Sequence, residues 1–282
     1  PPVSLIAQPT WAKCQGPGKG GGRCNDPDSG HVDSDAARCA MSAWGTSAAE
    51  RKWIAGNFAW TGLDYKGEPT PTKWPTINSH FGIKDIAGFD KDDTSYYYSW
   101  WRNDTSHLHI LPSDWNSPVP VGQPINCAIF SAAAQVELSV NGVSLGKKKV
   151  PHGGVVQYDQ TLNGDPIVFK PGKLEATSWD AAGNVLARAN VTTTGPATTL
   201  KLSLDKPGMG SLRVSGPVDS IKADGQDVAL VRVQVMDASG MLVPSANHNI
   251  SFVVSGPGVI YGVGNGDPSD HDPDKAQFRK AY

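Results

Sequence analysis

The clearest signal along the chain is a set of short segments in which apolar and polar residues alternate, the two-residue period of a half-buried strand. His107-Leu108-His109-Ile110-Leu111, Val136-Glu137-Leu138-Ser139-Val140 and Leu174-Glu175-Ala176-Thr177-Ser178-Trp179 all carry it. The second segment runs into Asn141-Gly142, a hairpin signal, and the third into Asp180-Ala181-Ala182-Gly183-Asn184, another turn sequence. Strands at this spacing predict an immunoglobulin-like sandwich over residues 105–194. Gly195-Pro196 then marks a linker. A second strand-rich unit follows it, with strands expected over Leu200–Leu204, Val228–Val235 and Ile250–Val254 and a turn at Asp237-Ala238-Ser239-Gly240.

The chain before residue 102 reads differently. Residues 1–40 look irregular, and Gln15-Gly16-Pro17-Gly18-Lys19-Gly20-Gly21-Gly22 suits neither helix nor strand. That run is not a phosphate loop, because no strand leads into it and no helix follows at the right distance. Ser47 can cap a helix running to Ile54, and Gly56-Asn57-Phe58-Ala59-Trp60 reads as a buried strand ending at Thr61-Gly62. Residues 62–92 are rich in Gly, Pro and Asp. Residues 92–101 predict a helix capped by Asp92, with an aromatic-rich strand as the alternative.

Composition narrows the class. A chain of 282 residues has room for two or three domains. The net charge of -2 gives no reason to expect nucleic acid or a charged membrane surface as partner. No apolar run is long enough for a membrane span. The start, Pro1-Pro2-Val3-Ser4-Leu5-Ile6, lacks the character of a signal peptide, so the expectation is a removed signal or a start within a longer protein. The nine tryptophans suit sugar stacking as well as core packing. Cys14, Cys24, Cys39 and Cys127 form no Cys-x-x-Cys pair and are disulfide candidates, with Cys14–Cys24 the most local pairing and four reduced, buried thiols the alternative. Sequons stand at Asn103, Asn190 and Asn249. With the even cysteine count they point to the secretory route and an extracellular, glycosylated protein.

The most specific motif is Phe58-Ala59-Trp60-Thr61-Gly62-Leu63-Asp64-Tyr65-Lys66-Gly67-Glu68-Pro69-Thr70-Pro71, continued by Phe81-Gly82-Ile83-Lys84-Asp85-Ile86-Ala87-Gly88-Phe89-Asp90-Lys91-Asp92. It resembles the end of the catalytic barrel in β-galactosidases of glycoside hydrolase family 2. Val136 to Gly146 looks like the all-β domain that follows that barrel, and Gly262-Val263-Gly264-Asn265-Gly266-Asp267-Pro268 like the domain after it. The resemblance implies a mainly β chain: the last strand and helix of a (β/α)8 barrel within 1–102, an immunoglobulin-like sandwich over 103–195, and a second, truncated one over 196–282. It implies a retaining hydrolase of β-galactosides that needs no cofactor and has a β-galactoside or related glycan as partner. The missing N-terminal part of the barrel is then expected as another chain or an unobserved segment.

Retaining glycosidases need two carboxylic acids about 5 Å apart. The chain has four glutamates, Glu50, Glu68, Glu137 and Glu175, and only Glu68 falls near the motif. Both catalytic glutamates are therefore expected upstream, and the isolated chain is expected to be inactive. What remains is part of a sugar pocket. Trp60 is the expected stacking platform, with barrel core as its alternative role. Asp64 and Asp85 are expected hydroxyl acceptors, with turn capping as theirs, and Lys91 an expected donor or a plain surface lysine. Glu68 is expected to fix the Gly67–Pro69 turn. His107 and His109 read as surface histidines, and Asp267, Asp270, Asp272 and Asp274 as a solvated loop without the spacing of a calcium loop, so no metal site is expected. The alternative reading is an extracellular structural or adhesive protein built from a hydrolase tail.

Overall fold

The computed structural model describes residues 53, 58, 60–69, 73–80, 82–102, 105–116, 120–125, 127–151, 154–158, 167–204, 224–225 and 227–282. The helix expected over 47–54, apart from residue 53, and Cys14, Cys24, Cys39 and Asn103 lie outside them. The described chain is mainly β. It holds one helix, α1 (Asp92–Trp101), and the strands β1 (Leu108–Leu111), β2 (Pro124–Ile125), β3 (Cys127–Ser131), β4 (Gln135–Val140), β5 (Val143–Lys149), β6 (Val155–Tyr158), β7 (Ile167–Val168), β8 (Lys173–Trp179), β9 (Val185–Thr192), β10 (Ala197–Leu204), β11 (Val231–Asp237), β12 (Asn249–Ser251) and β13 (Phe278–Lys280).

Alternation decides the four-stranded antiparallel sheet β5-β4-β8-β9. In β4, Val136 and Leu138 are fully buried, while Glu137 and Ser139 face outward. The hairpin to β5 turns at Asn141 and Gly142, both at positive φ (50° and 81°), the conformation that favours this pair of residues. Leu138 stands opposite Ala176 of β8, so one apolar face continues across the sheet. A three-stranded sheet, β1-β3-β6, supplies the other half, with Ile110 opposite Ile129 and Ile129 opposite Val156. Their apolar residues join Val136, Leu138, Leu174 and Ala176 in one core. Trp115 meets Phe169 edge-on there at 4.9 Å between ring centres, and its indole N–H donates to Lys170 O at 3.1 Å. That bond satisfies the polar end of a fully buried ring.

β3 does not alternate, because both its faces are covered. Ile129 points into the sandwich core, and Phe130 packs with Leu111 and Tyr96 of α1. The expected cap of that helix is corrected. Asp92 is its first residue, Lys91 is the N-cap, and no side chain caps it. The Asp92 carboxylate instead bonds His109 Nε2 at 2.6 Å, which takes His109 off the open surface where the sequence placed it. Cys127 is also corrected as a disulfide candidate. It is a free, buried thiol in the sandwich core, and burial pushes its pKa up to about 12.

The chain divides into two compact units, 1–193 with 251–279, and 194–250 with 280–282. In the second unit β10 and β11 pair antiparallel from Ala197↔Asp237 to Leu204↔Val231, and Val235, Val243 and Ala246 form its buried core. Asp237 ties the β10 approach and the β11 turn together. Its carboxylate accepts Gly195 N–H, Ser239 N–H and Met241 N–H, each at 2.9 Å. Those bonds, that of Gly195 foremost, hold its pKa below the usual carboxylate value. No helix among the described residues is long and apolar enough to cross a membrane.

Candidate functional site

The motif folds as two irregular segments laid side by side. Ile83 N–H donates to Thr61 O at 2.9 Å, Lys84 N–H to Gly62 O at 3.1 Å, Asp64 N–H to Lys84 O at 3.0 Å and Ser79 N–H to Tyr65 O at 2.8 Å. The approach is closest at Gly82. A Cβ there would collide with Asp64 N, Leu63 C and Lys84 O, so the contact needs glycine.

This contact places Asp64 and Lys91. Asp64 Oδ1 accepts Gly82 N–H at 2.7 Å, and Oδ2 accepts Lys91 Nζ at 2.6 Å. The carboxylate is 7% exposed and the ammonium 21%, so this is a largely desolvated pair. Lys91 Nζ also donates to His80 O at 3.4 Å. Burial, and then the Lys91 charge, lower the His80 pKa and favour its neutral imidazole. Each Asp64 oxygen therefore already accepts one bond and keeps one free acceptor direction.

Asp85 lies close enough to feel both charges. Its Oδ1 accepts Ala87 N–H and Phe89 N–H, each at 2.9 Å, the turn-capping role the sequence also allowed. Burial pushes its pKa above the usual carboxylate value despite those bonds. Trp60 is 74% exposed in this chain. Its indole N–H donates to Tyr65 OH at 3.2 Å, and Tyr65 OH donates to Glu68 Oε2 at 2.6 Å. Glu68 is thus spent on orienting the Tyr65–Trp60 pair, from a turn whose φ is positive at both Gly67 and Glu68.

The other two glutamates among the described residues lie elsewhere. Glu137 and Glu175 share the outer face of the β4–β8 ladder, but Ser144 Oγ donates to the first and Lys173 Nζ bonds the second. Neither belongs to the motif. His107 sits edge-on to Tyr98 at 5.4 Å. The sequon residues Asn190 and Asn249 are exposed, on β9 and at the start of β12.

One contributor was missed by sequence reasoning. The segment 262–274 packs against the motif segment from far along the chain. Ile77 N–H donates to Pro268 O at 2.9 Å, His271 Nε2 bonds Pro75 O at 2.6 Å, and Lys66 Nζ pairs with Asp274 at 2.7 Å. Its acidic residues divide: Asp274 is 70% exposed, as expected of a solvated loop, whereas Asp270 is buried. The Arg279 guanidinium lies among them, paired with Asp270 at 2.9 Å with both side chains buried. The signal that could have found this loop is Gly-x-Gly-x-Gly at 262, 264 and 266, a spacing suited to close backbone approach. Among the described residues no group of three or more His, Cys, Asp or Glu is arranged to hold a metal.

Comparison with known proteins decides the family. Residues 212–282 match the profile of glycoside hydrolase family 2 C-terminal domain 5, and residues 122–187 match a domain of unknown function, DUF4982. The β-galactosidase BoGH2A of Bacteroides ovatus is 36% identical over 235 residues, covering 83% of this chain and 25% of that enzyme. The chain belongs to glycoside hydrolase family 2. A putative β-glucuronidase of Formosa agariphila is 28% identical over 256 residues, 89% of this chain and 23% of its own length. Among solved structures, a β-glycosidase from Bacteroides vulgatus superimposes with a TM-score of 0.72 at 28% identity, covering 86% of this chain and 28% of that one. The chain therefore spans about a quarter of the length of the curated relatives it matches.

Proposed function

We propose that these residues form the carbohydrate-positioning part of a retaining β-galactosidase whose catalytic glutamates lie in polypeptide outside this chain. The observation that carries the reading is the exposed Trp60 ring, held by Tyr65 and Glu68, in the same segment as the Asp64–Lys91 pair and Asp85. An indole fixed at its N–H edge presents its face to the apolar C–H face of a hexose. Asp64 and Asp85 then accept sugar hydroxyls, and Lys91 donates while staying paired to Asp64. In this account the motif is the last strand and helix of a (β/α)8 barrel, with Trp60 at the mouth where active sites of that fold lie. Two immunoglobulin-like domains follow it.

Two findings favour a neutral galactoside over a uronate. Lys66, Lys84 and Lys91 are each already ion-paired, with Asp274, Asp90 and Asp64. The relative named as a β-galactosidase is also more similar than those named as β-glucuronidases, at 36% against 28% and 27%. The exposed sequons at Asn190 and Asn249 support an extracellular protein. The test is Trp60→Ala in the full-length enzyme, assayed on 4-nitrophenyl β-D-galactoside. Loss of one stacking ring, about 0.5–1.5 kcal/mol, raises KM by roughly twofold to tenfold. An unchanged KM removes Trp60 from the sugar site.

A further inference from the structure

The motif of residues 58–92 meets a second element at Asp85. While Asp85 Oδ1 takes the two backbone N–H groups, Oδ2 lies against Gly266, so close that a Cβ on residue 266 would overlap Oδ2 and the carboxyl carbon. Gly266 does not have the positive φ that makes glycine obligatory for backbone reasons. The restriction there is steric, and its target is the carboxylate. Gly264, two residues earlier in the same loop, has nothing within 4 Å of its notional Cβ and no positive φ.

The loop that brings Gly266 there is itself fixed. Arg279 donates to Val263 O at 3.0 Å, Asp272 O at 3.1 Å and Pro273 O at 2.8 Å, while pairing with Asp270 Oδ1 at 2.9 Å. Asp270 accepts Asn265 Nδ2 at 2.7 Å and Asp272 N–H at 2.7 Å. One guanidinium thus holds carbonyls on both sides of Gly266, and Asn265, its neighbour in the chain, is held by the carboxylate that Arg279 pairs with. The loop is further pinned to the motif side by the Pro268 and His271 bonds to residues 77 and 75.

We propose that Gly266, presented by the Arg279–Asp270 loop, is a positioning residue that sets the direction of the Asp85 carboxylate toward the sugar. The proposal rests on the reading of Asp85 as a sugar ligand. It assigns to the far end of the chain a part in sugar affinity that no residue there performs by touching the sugar. Carboxylate direction matters because a hydroxyl bond weakens steeply away from linear geometry. A methyl group at 266 turns Oδ2 away, or pushes the loop back and frees the carboxylate to rotate.

The experiment uses the full-length enzyme carrying Gly266→Ala, Gly264→Ala, Asp85→Ala and the Gly266→Ala/Asp85→Ala pair, with KM and kcat measured on aryl β-galactoside and β-glucuronide. The expected result is a KM raised about tenfold by Gly266→Ala with kcat within about twofold, no change from Gly264→Ala, and a double variant no worse than Asp85→Ala alone, the non-additivity of residues acting through one group. If Asp85→Ala raises KM and Gly266→Ala does not, or if the two losses simply add, the positioning role is overturned while the sugar-site reading stands. If Asp85→Ala leaves KM unchanged on both substrates, the reading of Asp85 falls and the positioning role with it.

Discussion

Replacing Lys91 by methionine removes the ammonium and keeps much of the side chain's apolar bulk. Asp64 is then left with its Gly82 N–H bond and no countercharge, at a site where its side chain is 7% exposed. Stranding one partner of a fully buried pair costs about 3–5 kcal/mol. Lys91 is 21% exposed, so water relieves part of this, and a loss of about 2–4 kcal/mol is expected. In a domain of 150–250 residues each kcal/mol moves Tm by roughly 2–4 °C. The full-length Lys91→Met enzyme should therefore unfold about 4–16 °C lower in its least stable calorimetric transition. The control is Asp64→Asn with Lys91→Met. The amide oxygen still accepts Gly82 N–H and the buried charge is gone, so most of the loss should return. A shift under about 1 °C in the single variant, or no recovery in the double one, refutes the view that this pair holds the site together.

Two further outcomes follow from the two units. Leu138→Ala opens a cavity in the sandwich core and should cost about 2–5 kcal/mol in denaturant unfolding, whereas Val143→Ala, at a position 67% exposed, should stay within about 0.5 kcal/mol. Asp237 has a depressed pKa in the folded state, so its contribution is present above the unfolded value of about 3.9 and is lost as pH falls through the folded value. Unfolding of the second unit followed from pH 6 to pH 2 should show this acid loss in the wild type and a flatter, lower profile in Asp237→Asn, because one amide nitrogen then faces a backbone N–H; equal slopes would contradict it.

How much of this was legible from the residues depends on how local the cause is. β4 and β8 were readable because one of their faces is core and the other solvent, so Leu138 and Glu137 declare themselves by alternation. β3 was not readable, because α1 covers its second face and Phe130 is as buried as Ile129. Asp92 fitted a capping pattern, but His109 arrives from β1 and takes its carboxylate, a partner 17 residues away. In the site, the motif holds Asp64, Asp85 and Lys91, which lie in one neighbourhood. It could not show that Asp64 and Lys91 bind each other, since either suits a solvated surface equally well in sequence. Still less could it show the loop at 262–274, whose backbone bonds carry no side-chain signature beyond its glycines. The acidic run there looked solvated because its counterion, Arg279, comes after it in the chain and is buried.

The central claim is that these residues hold a galactoside and do not cleave it. The most direct measurement compares the 282-residue chain with the full-length enzyme on 4-nitrophenyl β-D-galactoside, following the anomer of the released sugar by proton NMR. The account predicts no hydrolysis by the chain alone, and release of the β-anomer first by the full-length enzyme, the outcome of two carboxylates about 5 Å apart. Hydrolysis by the 282 residues alone, or first release of the α-anomer by the full-length enzyme, would contradict it.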